Sequence, residues 1–159
     1  MPRKVTKSLQ RKVTPDRKYQ SVLVQRLINK SMLDGKKQAA ERAVYSALEG
    51  AAKKLNSENP VEIFEKAIAN VSPDFEVKSR RVGGANYQIP FPIAGHRQQH
   101  FAFSWLVQAA RARQSMPYAK RLELEIIDAY NETGAAFKKK EDCHRMAEAN
   151  RAFAHFARV

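Results

Sequence analysis

Four histidines and one cysteine are the side chains of this 159-residue chain best suited to acid–base, nucleophilic or metal chemistry. Their spacing supports none of it. His96 and His100 stand four apart, so a helix would place them on one face, but no acidic partner lies near them and a zinc site needs more ligands. Cys143 and His144 are adjacent, and neighbouring side chains on a helix diverge where a nucleophile and its base must converge. The chain also has no phosphate-cradling glycine loop of the P-loop or dinucleotide type. Cys143 reads as a small, partly buried filler. The expectation is a protein that is not an enzyme and holds no cofactor or metal.

The chemistry that is present is charge. Twenty-nine lysines and arginines face sixteen acids, a net charge of +13, which is the electrostatic footprint of a polyanion binder. The cations are clustered. Residues 1–20 carry Arg3, Lys4, Lys7, Arg11, Lys12, Arg17 and Lys18 against Asp16 alone, and residues 94–122 carry Arg97, Arg111, Arg113, Lys120 and Arg121 with no carboxylate. Lys36-Lys37 and Lys138-Lys139-Lys140 fall where helices are expected to begin, and a helix N-terminus disfavours cations unless an anion sits nearby. Lys78, Arg80 and Arg81 crowd a further short stretch, with Tyr87 and Phe91 close by in sequence. Cations beside aromatic faces suit irregular RNA, whose splayed bases stack on rings and guanidinium planes. Phe91 has a second reading, as a plug anchoring its segment to the body.

These groups need elements to hold them. Residues 76–92, EVKSRRVGGANYQIPFP, read as a two-stranded ribbon around Gly83-Gly84, a pair that tolerates positive φ at both central turn positions. That register sets Val82 against Ala85, Arg80 against Tyr87, Lys78 against Ile89 and Glu76 against Phe91. Neither face is cleanly apolar, and Pro90 and Pro92 confine the second arm to an edge. An isolated ribbon is marginal in water, so a partner outside the chain is expected to complete it.

Helical periodicity occupies the rest. Val24, Leu27, Ile28 and Met32 share a face from Ser21 onward, with Asp34-Gly35 as the stop. A second helix spans about 36–55 along Ala40, Val44, Ala47 and Ala51. Asn59-Pro60 with Glu62 opens a third, lined by Ile63, Phe64, Ala67, Ile68 and Val71. A fourth runs from about 96 to 113 with Phe101, Trp105, Leu106 and Ala109 inward. The fifth opens at Ser115-Met116-Pro117 and closes at Gly134, and the last covers about 138–155. The fold class is therefore mainly α, a single-domain bundle of about six helices with a protruding β-hairpin arm. Residues 1–20 form a basic N-terminal extension, mobile until it meets a partner, and residues 21–159 the helical domain. One cysteine excludes an internal disulfide, no apolar run reaches membrane-spanning length, and no signal-peptide core is evident, so the cytoplasm is the expected location.

Three strings, DGKKQAAERAVYSAL at 34–48, EVKSRRVGGANYQIP at 76–90 and KKKEDCHRMAEANRAFAHF at 138–156, closely resemble the bacterial type of the small-subunit ribosomal protein number seven family. The resemblance implies a structural constituent of the small subunit. Such a protein binds the 3′ major domain of small-subunit rRNA, nucleates assembly of the subunit head and lies near the exit-site tRNA. It further implies rRNA contact by Arg3, Lys4, Lys7, Arg11, Lys12, Lys36, Lys37, Lys78, Arg80, Arg81, Arg97, Arg111 and Arg113. Gly83, Gly84, Lys138, Lys139, Lys140, His144 and Arg145 would stand near the exit-site tRNA. The ninth and eleventh small-subunit proteins are the implied protein neighbours, with no homo-oligomer and no membrane. Where the family carries a valine–acid–valine run and several arginines after the arm, this chain has Phe91-Pro92-Ile93, Arg97, Gln98 and Gln99. The competing expectation is a free-standing helical RNA- or DNA-binding regulator.

Overall fold

Helix starts in this chain are set by what reaches the unpaired amides of the first turn. In the computed structural model, which describes residues 13–158, α1 (Val22–Ser31) is capped by Ser21, whose hydroxyl accepts from the Val24 amide at 3.4 Å. Helix α2 (Lys37–Lys54) begins with no side-chain cap and no acid in its first turn, leaving Lys36 and Lys37 at its positive end as expected. Asn59 caps α3 (Pro60–Val71), accepting from Val61 at 3.2 Å while its own amide donates to Glu62 at 2.8 Å. Strands β1 (Phe75–Val82) and β2 (Ala85–Pro92) follow, then α4 (Gly95–Ala112), α5 (Tyr118–Tyr130), α6 (Gly134–Ala149) and a terminal 3-10 helix (Arg151–Arg158).

The core lies among α1 to α5, with Val24, Leu27, Ile28, Val44, Leu48, Phe64, Leu106, Leu122 and Ile126 essentially inaccessible. Each such side chain contributes on the order of 1.5–3 kcal/mol by leaving water. The five apolar positions expected on α3 are its five buried residues. On α4 the apolar face is rotated from expectation. Ala102, Phe103, Leu106, Val107 and Ala110 are buried, whereas Phe101 and Trp105 are half-buried and stack on each other at 5.4 Å.

Three boundaries differ from the sequence reading, each for a tertiary or turn-level reason. Asp34-Gly35 does not cap α1, which ends at Ser31; both residues have positive φ, 51° and 71°, and form a separate turn closed by the Lys36 amide on the Leu33 carbonyl at 2.9 Å. Gly134 does not close α5 but opens α6, at φ 87°, and the Glu125 carboxylate from α5 accepts the Ala136 amide at 2.9 Å. Lys138, Lys139 and Lys140 therefore sit inside α6, past its first turn. The last helix does not continue to residue 155 either. It ends at Asn150, whose side chain donates to the Met146 carbonyl at 2.8 Å, and the chain tightens into the 3-10 helix.

The ordered body also starts earlier than composition suggests. Asp16 is buried and accepts from the amides of Lys18, Tyr19 and Ser21 at 3.0, 2.8 and 2.8 Å, and from the Tyr45 hydroxyl at 3.2 Å. One carboxylate thus folds residues 16–21 onto α2. Tyr19 packs edge-on against Tyr45 at 5.8 Å beside it. Arg3, Lys4, Lys7, Arg11 and Lys12 lie outside the described residues.

Candidate nucleic-acid interface

The arm has the register read from the sequence: Glu76 pairs with Phe91, Lys78 with Ile89, Arg80 with Tyr87 and Val82 with Ala85. Gly83 and Gly84 take φ of 57° and 90°, as a tight two-residue turn requires. The ribbon is not left for an outside partner to complete. Its base lies on α6 and its second strand on the terminal 3-10 helix, where Tyr87 packs on Phe153 at 5.1 Å and on Phe156 at 5.4 Å. Ile89 is fully buried. The Tyr87 ring, expected to be available to bases, is instead occupied within the chain. Phe91 stands at the arm's base with Lys78 Nζ 5.2 Å from its ring centre.

Charge divides the arm in two. At the base, buried Glu76 holds Arg97 of α4 through paired contacts of 2.7 and 2.9 Å to Nε, and Lys78 at 2.7 Å. Burial pushes the Glu76 carboxyl up, but the hydrogen bonds and charges of Arg97 and Lys78 outweigh it and hold it below the ordinary range. Toward the tip, Arg80 and Arg81 are exposed; Arg80 donates to the Phe156 carbonyl at 3.4 Å, and Arg81 enters no ion pair among the described residues. Arg97 is thus tied to the fold, whereas Arg81 presents its charge to solvent.

A second basic area forms where the α1–α2 turn meets the α4–α5 connection. Lys36 and Arg111, far apart in sequence, line one hollow of about 430 Å³ together with Tyr118 and Arg121. Arg111 is exposed and donates to the Ser31 carbonyl at 3.3 Å. Burial pushes the Tyr118 phenol up, keeping it protonated to donate to Ser31 Oγ at 2.9 Å. Arg121 bonds the carbonyls of Arg113 and Arg111 at 2.7 and 3.3 Å, while its Nε, cut off from solvent, has no partner among the described residues. Lys36 and Lys37 reach Asp34 and Glu41 only at 3.8 Å, with Lys36 73% exposed. Arg113 points the other way. Its guanidinium holds the wholly buried Glu125 at 2.7 Å and also pairs with Asp128.

On α6, Lys138 is exposed, Lys139 donates to Gln108 at 2.9 Å and Lys140 to the Asn70 carbonyl at 2.7 Å. His144 Nε2 accepts from the Asp74 amide at 3.0 Å and its ring meets Phe75 edge-on, so it fastens the arm's root. Arg145 is exposed and pairs with Asp142 one turn back. The arrangement is one of multiple cationic patches on a rigid scaffold, and no group of three metal-ligating side chains occurs among the described residues.

A family model described as ribosomal protein S7p/S5e matches residues 2–151. The chain belongs to the ribosomal protein S7p/S5e family. It is 55% identical over 149 residues to the small ribosomal subunit protein uS7 of Chloroflexus aggregans, covering 94% of each chain. To the proteins of the same name from Hydrogenobaculum sp. and Dictyoglomus turgidum it is 54% and 53% identical, over 98% and 92% of its length and 99% and 93% of theirs. This S7p/S5e protein is accordingly a structural, non-enzymatic component of the small ribosomal subunit. Its described helices include none long and apolar enough to cross a membrane.

For an S7p/S5e chain, two features of the surface escaped the sequence reading. Tyr118 and Arg121 join Lys36 across a hollow, although Arg121 lies in the acid-free window that signalled that region. Arg26 and Lys30, one turn apart on α1, face His96 and His100 of α4 across a second hollow. The signal for the latter was the matching i, i+4 spacing in both helices.

Proposed function

We propose that this S7p/S5e protein binds the 3′ major domain of small-subunit rRNA directly and nucleates assembly of the subunit head. The exposed cations of the arm tip, the α1–α2 turn and the α4–α5 region supply the binding, together with the cations in the sequence of residues 1–12. The supporting observation is that Arg81 and Arg111 are exposed and enter no ion pair among the described residues, and Lys36 is exposed with Asp34 no nearer than 3.8 Å, while Lys78, Arg97 and Arg113 of the same sequence clusters are held by carboxylates at 2.7, 2.6 and 2.7 Å. Cations near RNA phosphates release condensed counterions, and the stiff helical body fixes the RNA segments relative to one another. Gly83-Gly84 and the α6 surface around Lys138 and Arg145 face the exit-site tRNA in this reading, with the ninth and eleventh small-subunit proteins alongside.

The test is the affinity for a 3′ major domain transcript against an unrelated folded RNA of equal length, measured from 50 to 200 mM salt. Strong preference for the rRNA is expected; equal binding of both, or of duplex DNA, would favour the free-standing regulator instead. Deleting residues 1–12 removes five cations and should lower the salt slope by up to about 4.5, at roughly 0.9 per phosphate on the duplex-DNA scale. That deletion spares Asp16, so the melting temperature should hold. An unchanged slope would remove the N-terminal segment from the interface.

A further inference from the structure

The groove between α1 and α4 is built from two rows of side chains. Arg26, Asn29 and Lys30 project from α1 and His96, Gln99 and His100 from α4 around a space of about 350 Å³. Each row sets two basic or titratable groups one helical turn apart. No carboxylate lines the groove, and among the described residues none of Arg26, Lys30, His96 and His100 enters an ion pair. Arg26 donates across to the Gln99 side-chain oxygen, which holds the guanidinium on the wall without neutralising it.

We propose that this groove is a proton-linked phosphate site for the RNA backbone, in which Arg26 and Lys30 supply fixed charge and His96 and His100 take up protons as the phosphate enters. The inference rests on the RNA-binding reading above. Two cations flanking the histidines disfavour a metal ion and favour an anion. Imidazoles change charge between about pH 5 and 8, unlike the other cationic groups here. His96 lies in the first turn of α4, which has no acid and no side-chain cap, so the positive end of that helix adds to the field that favours an anion in the groove. Proton and phosphate therefore help each other to bind, and affinity rises as pH falls through the imidazole range.

The charged surroundings do not supply that anion themselves. Arg97, next to His96, is turned away to Glu76 of the arm. A neighbouring hollow that shares Gln99 carries Glu65 of α3, Asp74 and Lys140 of α6, and neither of its carboxylates lines the α1–α4 groove.

The experiment compares the full-length protein with His96→Gln/His100→Gln and His96→Arg/His100→Arg, using the 3′ major domain transcript at pH 5.5 and 8.0 across a salt series. Relative to the glutamine variant, which cancels protonation of the RNA and of other histidines, the wild type should gain about 1–2 in salt slope at pH 5.5 and none at pH 8.0. The arginine variant should carry the steeper slope at both. Net proton uptake on binding, read by calorimetry in buffers of different ionisation enthalpy, should fall in both variants. If the wild type and the glutamine variant respond to pH alike, the proton-linked site is wrong. If the wild type shows no preference for this transcript at pH 8.0, the RNA-binding reading itself fails, a separate outcome.

Discussion

Two buried glutamates, Glu125 in the helical body and Glu76 at the root of the arm, each hold an arginine from the same acid-free stretch of sequence. Glu125 is wholly inaccessible, and its partners among the described residues both belong to the helical body: Arg113, whose side chain is 30% exposed, and the Ala136 amide at the start of α6. Glu76 holds Arg97 and Lys78, whose side chains are 46% and 51% exposed. The first site locks three helices together, while the second joins two independently built parts and leaves an excess positive charge at the surface. A cation in this protein is therefore committed to the fold where a carboxylate from another element reaches it, and otherwise leaves its charge at the surface.

Removing Arg113 should have the largest effect. Arg113→Ala leaves the Glu125 charge buried with the Ala136 amide as its chief remaining partner, a loss on the order of 3–5 kcal/mol. At this chain length the melting temperature should fall by roughly 6–20 °C. Calorimetry checks this, and a drop below about 2 °C would mean that Glu125 is not held as described. The salt slope of RNA binding by the folded fraction should barely move, because the Arg113 charge is already balanced. A slope lower by about 1 would instead return Arg113 to the RNA-binding surface that the sequence suggested for it.

That contrast also marks how far the sequence could be read. The ribbon register follows from the side-chain period of two and a glycine pair, both local, and every expected pairing is present. The buried face of α3 follows from a strong apolar period with a capping asparagine and proline at its start. What was illegible required knowing which elements meet. The window at 94–122 has no acid in sequence, yet in space Glu76, Glu123, Glu125 and Asp128 fold against its cations. The start of α6 was misplaced because its N-terminal partner is a carboxylate from α5. Tyr87 looked available for stacking until the chain beyond Asn150 tightened and brought Phe153 and Phe156 onto it. Cation positions were legible as clusters; which of them remain exposed was not.

The arm's attachment supplies the intermediate effect. Tyr87→Ala removes two aromatic contacts, each contributing about 0.5–1.5 kcal/mol beyond area burial. Hydrogen exchange in residues 85–89 and 151–156 should accelerate by roughly 5- to 150-fold, while amides of α2, α3 and α5 keep their protection. Uniform acceleration across the body would show that the arm and the core unfold as one unit, contrary to the comparison drawn above. Unchanged exchange would mean that Ile89 and the strand pairing hold the 3-10 helix without the ring.

The smallest effect separates the two glutamates by pH. Glu76 is stabilised as a carboxylate, so its folded form ionises more readily than the unfolded one, which titrates near about 4.3. Its contribution to stability is complete above that value and is lost as the pH falls below it, toward the lower folded value. Because Arg97 and Lys78 are half exposed and screened by solvent, the loss should stay within about 1 kcal/mol. Below pH 4.3, amides at the arm's root, Phe75 to Lys78 and Ile89 to Phe91, should lose protection by up to about fivefold after correction for intrinsic exchange. Glu76→Gln should show that reduced protection at neutral pH and no further acid step. An acid step that persists in the glutamine variant would assign the transition to another carboxylate, and loosening that begins above pH 5 would contradict the direction in which Glu76 is held.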